Sequence, residues 1–229
     1  MYKFLFIDLD DTILDFHKAE KIALSRTLES FGVVPTDEVC ARYSQINRDH
    51  WERLERKELT REQVVVGRFR VLFQELGVDA DPALCADRYA HNLGIGHYFL
   101  PGAPEAVEAL SKKYRLYLAS NGTASVQAGR LKSANISHFF EDIFISQDMG
   151  ADKPAKAYFD RCFARIPDFD PAQTMIVGDS LTSDIQGGIN AGITTCWVNP
   201  SHSPGRTDIR PDYEIEALSQ LPALLDKIG

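Results

Sequence analysis

Two aspartates, Asp8 and Asp10, stand one residue apart directly after the apolar run at residues 2–7. Side chains at i and i+2 of an extended strand point the same way, about 6.6 Å apart along it. Asp11, at the intervening spacing, points away and is left out of the chemistry. A second pair, Asp179 and Asp184, follows another apolar run at residues 174–178. Four carboxylates gathered in one cleft repel one another and hold on to protons. A hard divalent cation with oxygen ligands relieves that repulsion, and magnesium characteristically uses few carboxylates, completing its shell with water and phosphate. Lys153, just before a proline, offers a further positive charge, and Ser120-Asn121-Gly122 offers a hydroxyl and amides. Together these residues suit a phosphate ester held between a metal and a lysine.

Such residues need a scaffold that carries them to one rim. Short runs rich in apolar and β-branched residues at 2–7, 114–119, 142–146, 174–178 and 194–198 predict strands, with a short edge strand at 213–215. Helical patterns fall between and after them, at roughly 103–112, 124–135, 155–166, 182–191 and 217–228. This alternation predicts an α/β fold, a parallel sheet covered by helices on both faces. In such sheets ligands bind beyond the carboxyl ends of the strands, and each chemistry-bearing segment follows a predicted strand.

One stretch breaks the pattern. Residues 16–98 contain no convincing strand and about four helices. One ends at Gly32, a second covers 37–57, a third opens on the capping box Thr60/Gln63 and closes at Gly77, and a fourth starts at Asp81-Pro82. The expected organisation is a core built from residues 1–15 and 99–229, interrupted by an all-helical insertion over 16–98.

The whole-chain arithmetic narrows the function classes. The 229 residues carry 25 Lys and Arg against 33 Asp and Glu, a net charge of −8. An acidic surface argues against nucleic-acid polymers and anionic membranes, which select basic ones. No apolar run approaches the ~20 residues of a membrane span. The four cysteines, Cys40, Cys85, Cys162 and Cys196, form no CxxC pair, so free thiols in a reducing compartment are expected. The opening residues lack signal-peptide character, and the cytoplasm is the expected location.

The four segments, in this order, resemble the motifs of the haloacid dehalogenase superfamily of magnesium-dependent phosphatases. DxDxT is Asp8, Asp10 and Thr12, followed by Ser120, by Lys153 before proline, and by GDxxxxD with Asp179 and Asp184. The resemblance covers the whole chain. It implies a Rossmann-like core with a helical cap inserted after the first strand. It further implies that Asp8 is the nucleophile, forming an aspartyl-phosphate, and that Asp10 is the general acid and then the general base. Mg2+ would be held by the Asp8 carboxylate, the Asp10 backbone carbonyl and Asp179, with Asp184 reaching it through water or orienting Lys153. Ser120 and the amides of Asn121 and Gly122 would bind phosphoryl oxygens, and Lys153 would neutralise phosphoryl charge.

Asp10 separates the family's two chemistries. A halide needs no proton on leaving, whereas an alkoxide does, so Asp10 favours phosphate esters. The segments 120–140 and 178–200 look like those of bacterial pyrimidine nucleoside 5′-monophosphatases. The expected substrate is therefore a small phosphorylated molecule, a nucleotide first. Phosphoglycolate, a sugar phosphate or phosphomutase chemistry on the same fold are the alternatives. His17 and His97, at the two ends of the insertion, and Trp51 within it are candidate substrate contacts. Hinge or core packing is the competing reading for each.

Overall fold

The computed structural model describes residues 1–228. Six strands form one sheet: β1 (Phe4–Ile7), β2 (Arg115–Ser120), β3 (Asp142–Ile145), β4 (Thr174–Gly178), β5 (Thr194–Val198) and β6 (Tyr213–Ile215). The order is β3-β2-β1-β4-β5-β6, and every pairing is parallel. All carboxyl ends therefore open on one rim. Strand order departs in opposite directions from β1 and β4, so the ligand crevice of such a sheet lies beyond these two strands.

The chain divides into two compact units, Met1–Phe16 with the chain from His97 onward, and His17–Gly96. In the first, alternate strand residues face opposite layers. Leu5, Ile7, Leu116, Leu118, Met175 and Val177 pack with α5 (Ala103–Ser111) and α10 (Leu221–Ile228). Phe4, Phe6, Tyr117, Phe144 and Ile176 pack with Tyr158, Phe159 and Cys162 of α8 (Lys156–Phe163). Burial on both faces is why these strands read as unbroken apolar runs. The remaining helices here are α6 (Ala124–Ala134), the single turn α7 (Ser146–Met149) and α9 (Gln186–Ala191). The segments linking the units lie side by side: the Asp15 amide donates to Tyr98 and the Leu100 amide to Ile13.

The second unit contains α1 (Phe16–Ser30, from its second residue), α2 (Asp37–Glu55), α3 (Arg61–Leu76) and α4 (Pro82–Gly94). Its helix starts follow the sequence signals. Thr36 accepts from Val39, Thr60 and Gln63 close a capping box, and Asp81 caps Ala83 beside Pro82. Each such cap contributes about 1 kcal/mol. The unit's core is aromatic: Tyr43, Phe69 and Tyr89 are fully buried, with the Arg68 guanidinium 4.9–5.9 Å from their ring centres.

Three elements depart from the sequence expectation. The helix expected at 182–191 opens as one π turn, Leu181–Ile185, before α9. The helix expected at 217–228 starts as a 3-10 turn, Leu218–Gln220, before α10. Residue 146 leaves the third strand to start α7, which Gly150 ends in a left-handed conformation. No helix among the described residues is long and apolar enough to cross a membrane.

Candidate active site

Asp8 follows β1, and its amide donates to Val177 of β4, which fixes it at the rim. Lys153 is almost completely buried. Its Nζ donates to Asp8 Oδ1 at 2.7 Å, Asp184 Oδ1 at 2.6 Å and the Ala119 carbonyl at 2.6 Å, one acceptor for each ammonium proton. Asp184 lies in the π turn. Its Oδ2 accepts from the Ser180 amide at 3.1 Å and passes so close to Gly178 that a Cβ there would stand 2.2 Å away. Glycine at the start of the GDxxxxD segment is thus what lets Asp184 fold back onto Lys153. Asp179 is held from behind by Trp197, whose indole N–H donates to its carbonyl at 2.7 Å. Ligand atoms of Asp8, Asp179 and Asp184 all lie within 4.8 Å of one another.

The electrostatics of this cluster are unfavourable for carboxylates alone. Burial pushes Asp8 up to about 8; Lys153 works against the rise, while Asp184 and Asp10 add to it. Burial also raises Asp179 well above the carboxylate range, with Asp8, Asp184 and Asp11 adding to the effect. Burial opposes the charge on Lys153, but Asp184 and Asp8 outweigh it and hold its ammonium pKa above the ordinary value. An oxygen-only donor set in which Asp8 and Asp179 both resist ionising fits a hard divalent cation. Asp8 ordinarily titrates near 3.8 and here near about 8, so the folded chain keeps a proton that the unfolded chain sheds. Stability of the cation-free protein therefore falls as pH rises through that window. Protons and cation compete for the same oxygens. Magnesium is expected to raise Tm more at pH about 8 than at pH about 5, as read by thermal melts with and without the ion. An equal shift at both pH values would contradict binding at these carboxylates.

Beside this cluster, Ser120 ends β2 and is buried. Its Oγ accepts from the Gly122 amide at 3.1 Å and from Gln127 Nε2 at 2.9 Å, so its single proton remains for a third group. The Asn121 side chain clasps the Lys153 backbone, with Oδ1 accepting its N–H at 2.8 Å and Nδ2 donating to its carbonyl at 2.8 Å. Asp10 is partly open, its side chain 27% exposed, and it pairs with Arg130 and Gln127 of α6. Asp11 turns aside, accepting the Phe16 amide at 2.9 Å.

The family model for haloacid dehalogenase-like hydrolases matches residues 2–192. The chain belongs to this family. Among its relatives, the HAD-hydrolase YfnB of Bacillus subtilis is 42% identical over 98% of this chain and 96% of its own. A crystal structure of YfnB bound to magnesium superimposes with a TM-score of 0.94 over 98% of this chain and 99% of that one. Pyrimidine 5′-nucleotidase PynA of Streptococcus pneumoniae is 37% identical over 99% of this chain and 96% of its own. Pyrimidine 5′-nucleotidase YjjG of Escherichia coli is 29% identical over 99% of both. An α/β hydrolase of this family, with an acidic cluster able to hold a metal, is what fold, site and relatives jointly show.

Within this hydrolase the sequence-predicted residues separate into groups. Asp8, Asp179, Asp184 and Lys153 meet, with Ser120, Asn121, Gly122 and Asp10 at neighbouring strand ends. His97 falls in the core unit, its Nδ1 2.5 Å from Ser133 Oγ. Trp51 lies in the helical unit, where its indole donates to Asn47 at 3.0 Å and Arg61 stacks over it at 5.4 Å. His17 borders a cavity of about 230 Å³ in the same unit, with the buried Glu20 and Cys40 and the half-buried Ser44 also lining it. Four contributions escaped sequence reasoning: Gln127, Arg130, Trp197 and the clasp of the Asn121 side chain. The first two share one face of α6 with Val126 and Leu131, and a polar pair on a buried face is the signal that could have found them.

Proposed function

We propose that the chain is a magnesium-dependent phosphomonoesterase acting through an aspartyl-phosphate on Asp8, with pyrimidine nucleoside 5′-monophosphates as substrates. The observation that carries this reading is Asp8 pinned by Lys153 beside Asp179 and Asp184, with a second aspartate, Asp10, held at the open rim. Lys153 secures one oxygen of Asp8, and the other attacks phosphorus in line. The bond from phosphorus to the ester oxygen breaks, and Asp10 gives its proton to that oxygen. Asp10 then takes a proton from water, the water oxygen bonds to phosphorus, and the acyl-phosphate bond to Asp8 breaks, releasing inorganic phosphate. Ser120 donates its proton to a phosphoryl oxygen. Magnesium at Asp8, Asp179 and the Asp10 carbonyl, with Asp184 alongside, would offset phosphoryl charge and favour the ionised form of Asp8.

The nucleotide assignment rests on the printed activities of PynA and YjjG, both matched over nearly the full chain. The helical insertion, with His17 and Trp51, is the part assigned to substrate contact, along with His97 beyond it. Four free, buried thiols fit a reducing compartment, and we place the enzyme in the cytoplasm. A phosphate-release screen over pyrimidine and purine nucleotides, phosphoglycolate and sugar phosphates tests the assignment. Magnesium-dependent release favouring pyrimidine nucleotides, and abolished by EDTA, is expected. Preference for another ester would displace the nucleotide, and phosphoryl transfer without free phosphate would replace the hydrolase with a mutase.

A further inference from the structure

Asp10 does not stand alone at the rim. Arg130 Nη1 forms an ion pair with its Oδ1, and Gln127 Nε2 donates to its Oδ2 at 2.7 Å. Gln127 Oε1 in turn accepts from Arg130 Nη1 at 3.2 Å, so guanidinium, amide and carboxylate close a ring. Both α6 side chains are buried, Arg130 completely, whereas Asp10 reaches the open side. The loop before α6 is shaped around this contact. A Cβ at Gly122 would stand 2.3 Å from Gln127 Nε2.

Fold stability does not account for the arrangement. The Nε and Nη2 of Arg130 are buried without a hydrogen-bond partner. A buried guanidinium left partly unsatisfied is costly, and a buried ion pair does not by itself mark a net gain in stability over apolar residues of the same volume. Neither α6 side chain presents an atom to the open side in place of Asp10. Their common effect is on the carboxyl plane of Asp10, because each of its oxygens has its own donor.

We propose that Gln127 and Arg130 are positioning residues that fix the Asp10 carboxyl plane for proton transfer to the leaving alcohol. The inference rests on the reading of Asp10 as that proton donor. Proton transfer needs the donor within hydrogen-bond reach of the ester oxygen, and a misplacement of about 1 Å costs on the order of 100-fold. The cost depends on how strongly the leaving group needs the proton. An alkoxide needs it, whereas p-nitrophenolate hardly does.

The test compares kcat/KM for a nucleoside monophosphate and for p-nitrophenyl phosphate, because this constant reports the steps through transfer to Asp8. Loss of phosphoryl binding through Ser120 lowers both values alike and cancels in their ratio. Arg130→Met and Gln127→Ala are expected to shift the ratio against the nucleotide by roughly tenfold or more. Arg130→Lys is expected to recover part of the shift, and Asp10→Asn to mark its upper limit. An unchanged ratio in folded Arg130→Met and Gln127→Ala, whether both rates fall together or neither falls, would overturn the inference and leave the phosphatase reading standing. If Arg130→Met does not fold, Gln127→Ala decides alone. Wild-type protein without phosphate release from either ester would instead overturn the phosphatase reading and this inference with it.

Discussion

Asp8→Asn is expected to cut magnesium-dependent phosphate release by at least about 10⁴-fold while the protein stays folded. The carboxamide keeps the shape of the side chain and an oxygen that accepts from Lys153, but it is a poor nucleophile toward phosphorus. Lys153 also keeps its bonds to Asp184 and to the Ala119 carbonyl. The fold has a further reason to tolerate the change. Asp8, pushed up to about 8, is a site where folding disfavours a negative charge. A neutral isostere removes that cost at every pH above the ordinary carboxylate value. Thermal stability near neutral pH should therefore hold or rise. Near-normal release by a folded variant would sink the aspartyl-phosphate mechanism. A large drop in Tm would show instead that the Asp8 charge supports the fold.

Lys153→Met is expected to damage both properties. With the ammonium gone, Asp8 and Asp184 are left close together and buried without their shared cation. Removing one partner of a buried ion pair typically costs about 3–5 kcal/mol. Urea unfolding at pH about 8 without divalent ions should show a loss of that order. The loss should shrink at pH about 5, where Asp8 carries its proton in the folded protein and repulsion is relieved. Phosphate release should fall by roughly 100-fold or more, because Asp8 loses the donor that holds one of its oxygens in place. Equal destabilisation at both pH values would mean that packing of the lysine stem matters, rather than its charge.

Some of this architecture could be read from the chain because its causes are local. The strands at 174–178 and 194–198 are bounded in sequence as in the structure, since both lie inside the sheet with apolar residues on each face. Thr60 with Gln63 and Asp81 with Pro82 mark helix starts through bonds spanning two or three residues. The motif residues were findable because each follows a strand of one parallel sheet. Gln127 and Arg130 were not, because their partner Asp10 is 117 and 120 residues away. Polar residues in a helix ordinarily read as solvent-facing. Trp197 is buried, and its bond to the Asp179 carbonyl follows from strand pairing between β4 and β5, which no local pattern reveals. The π turn at Leu181–Ile185 likewise follows from Asp184 reaching back toward Lys153 and the Ser180 amide, a demand of the site rather than a preference of the segment.

The central place of β1 has a consequence for synthesis. Residues 4–7 pair with 115–118 on one side and with 174–177 on the other. The strand that leads to Asp8 is made before both of its neighbours, and the second of them emerges only after three-quarters of the chain. Contacts of such separation form late and slowly. A nascent chain stopped before Thr174 would carry Asp8 and Asp10 on an unpaired strand edge, a template for aberrant pairing. It would also lack Asp179 and Asp184. The helical unit, built from neighbouring segments, can close while the ribosome is still producing the rest of the sheet. The acidic cluster of Asp8, Asp179 and Asp184 is thus assembled only late in synthesis.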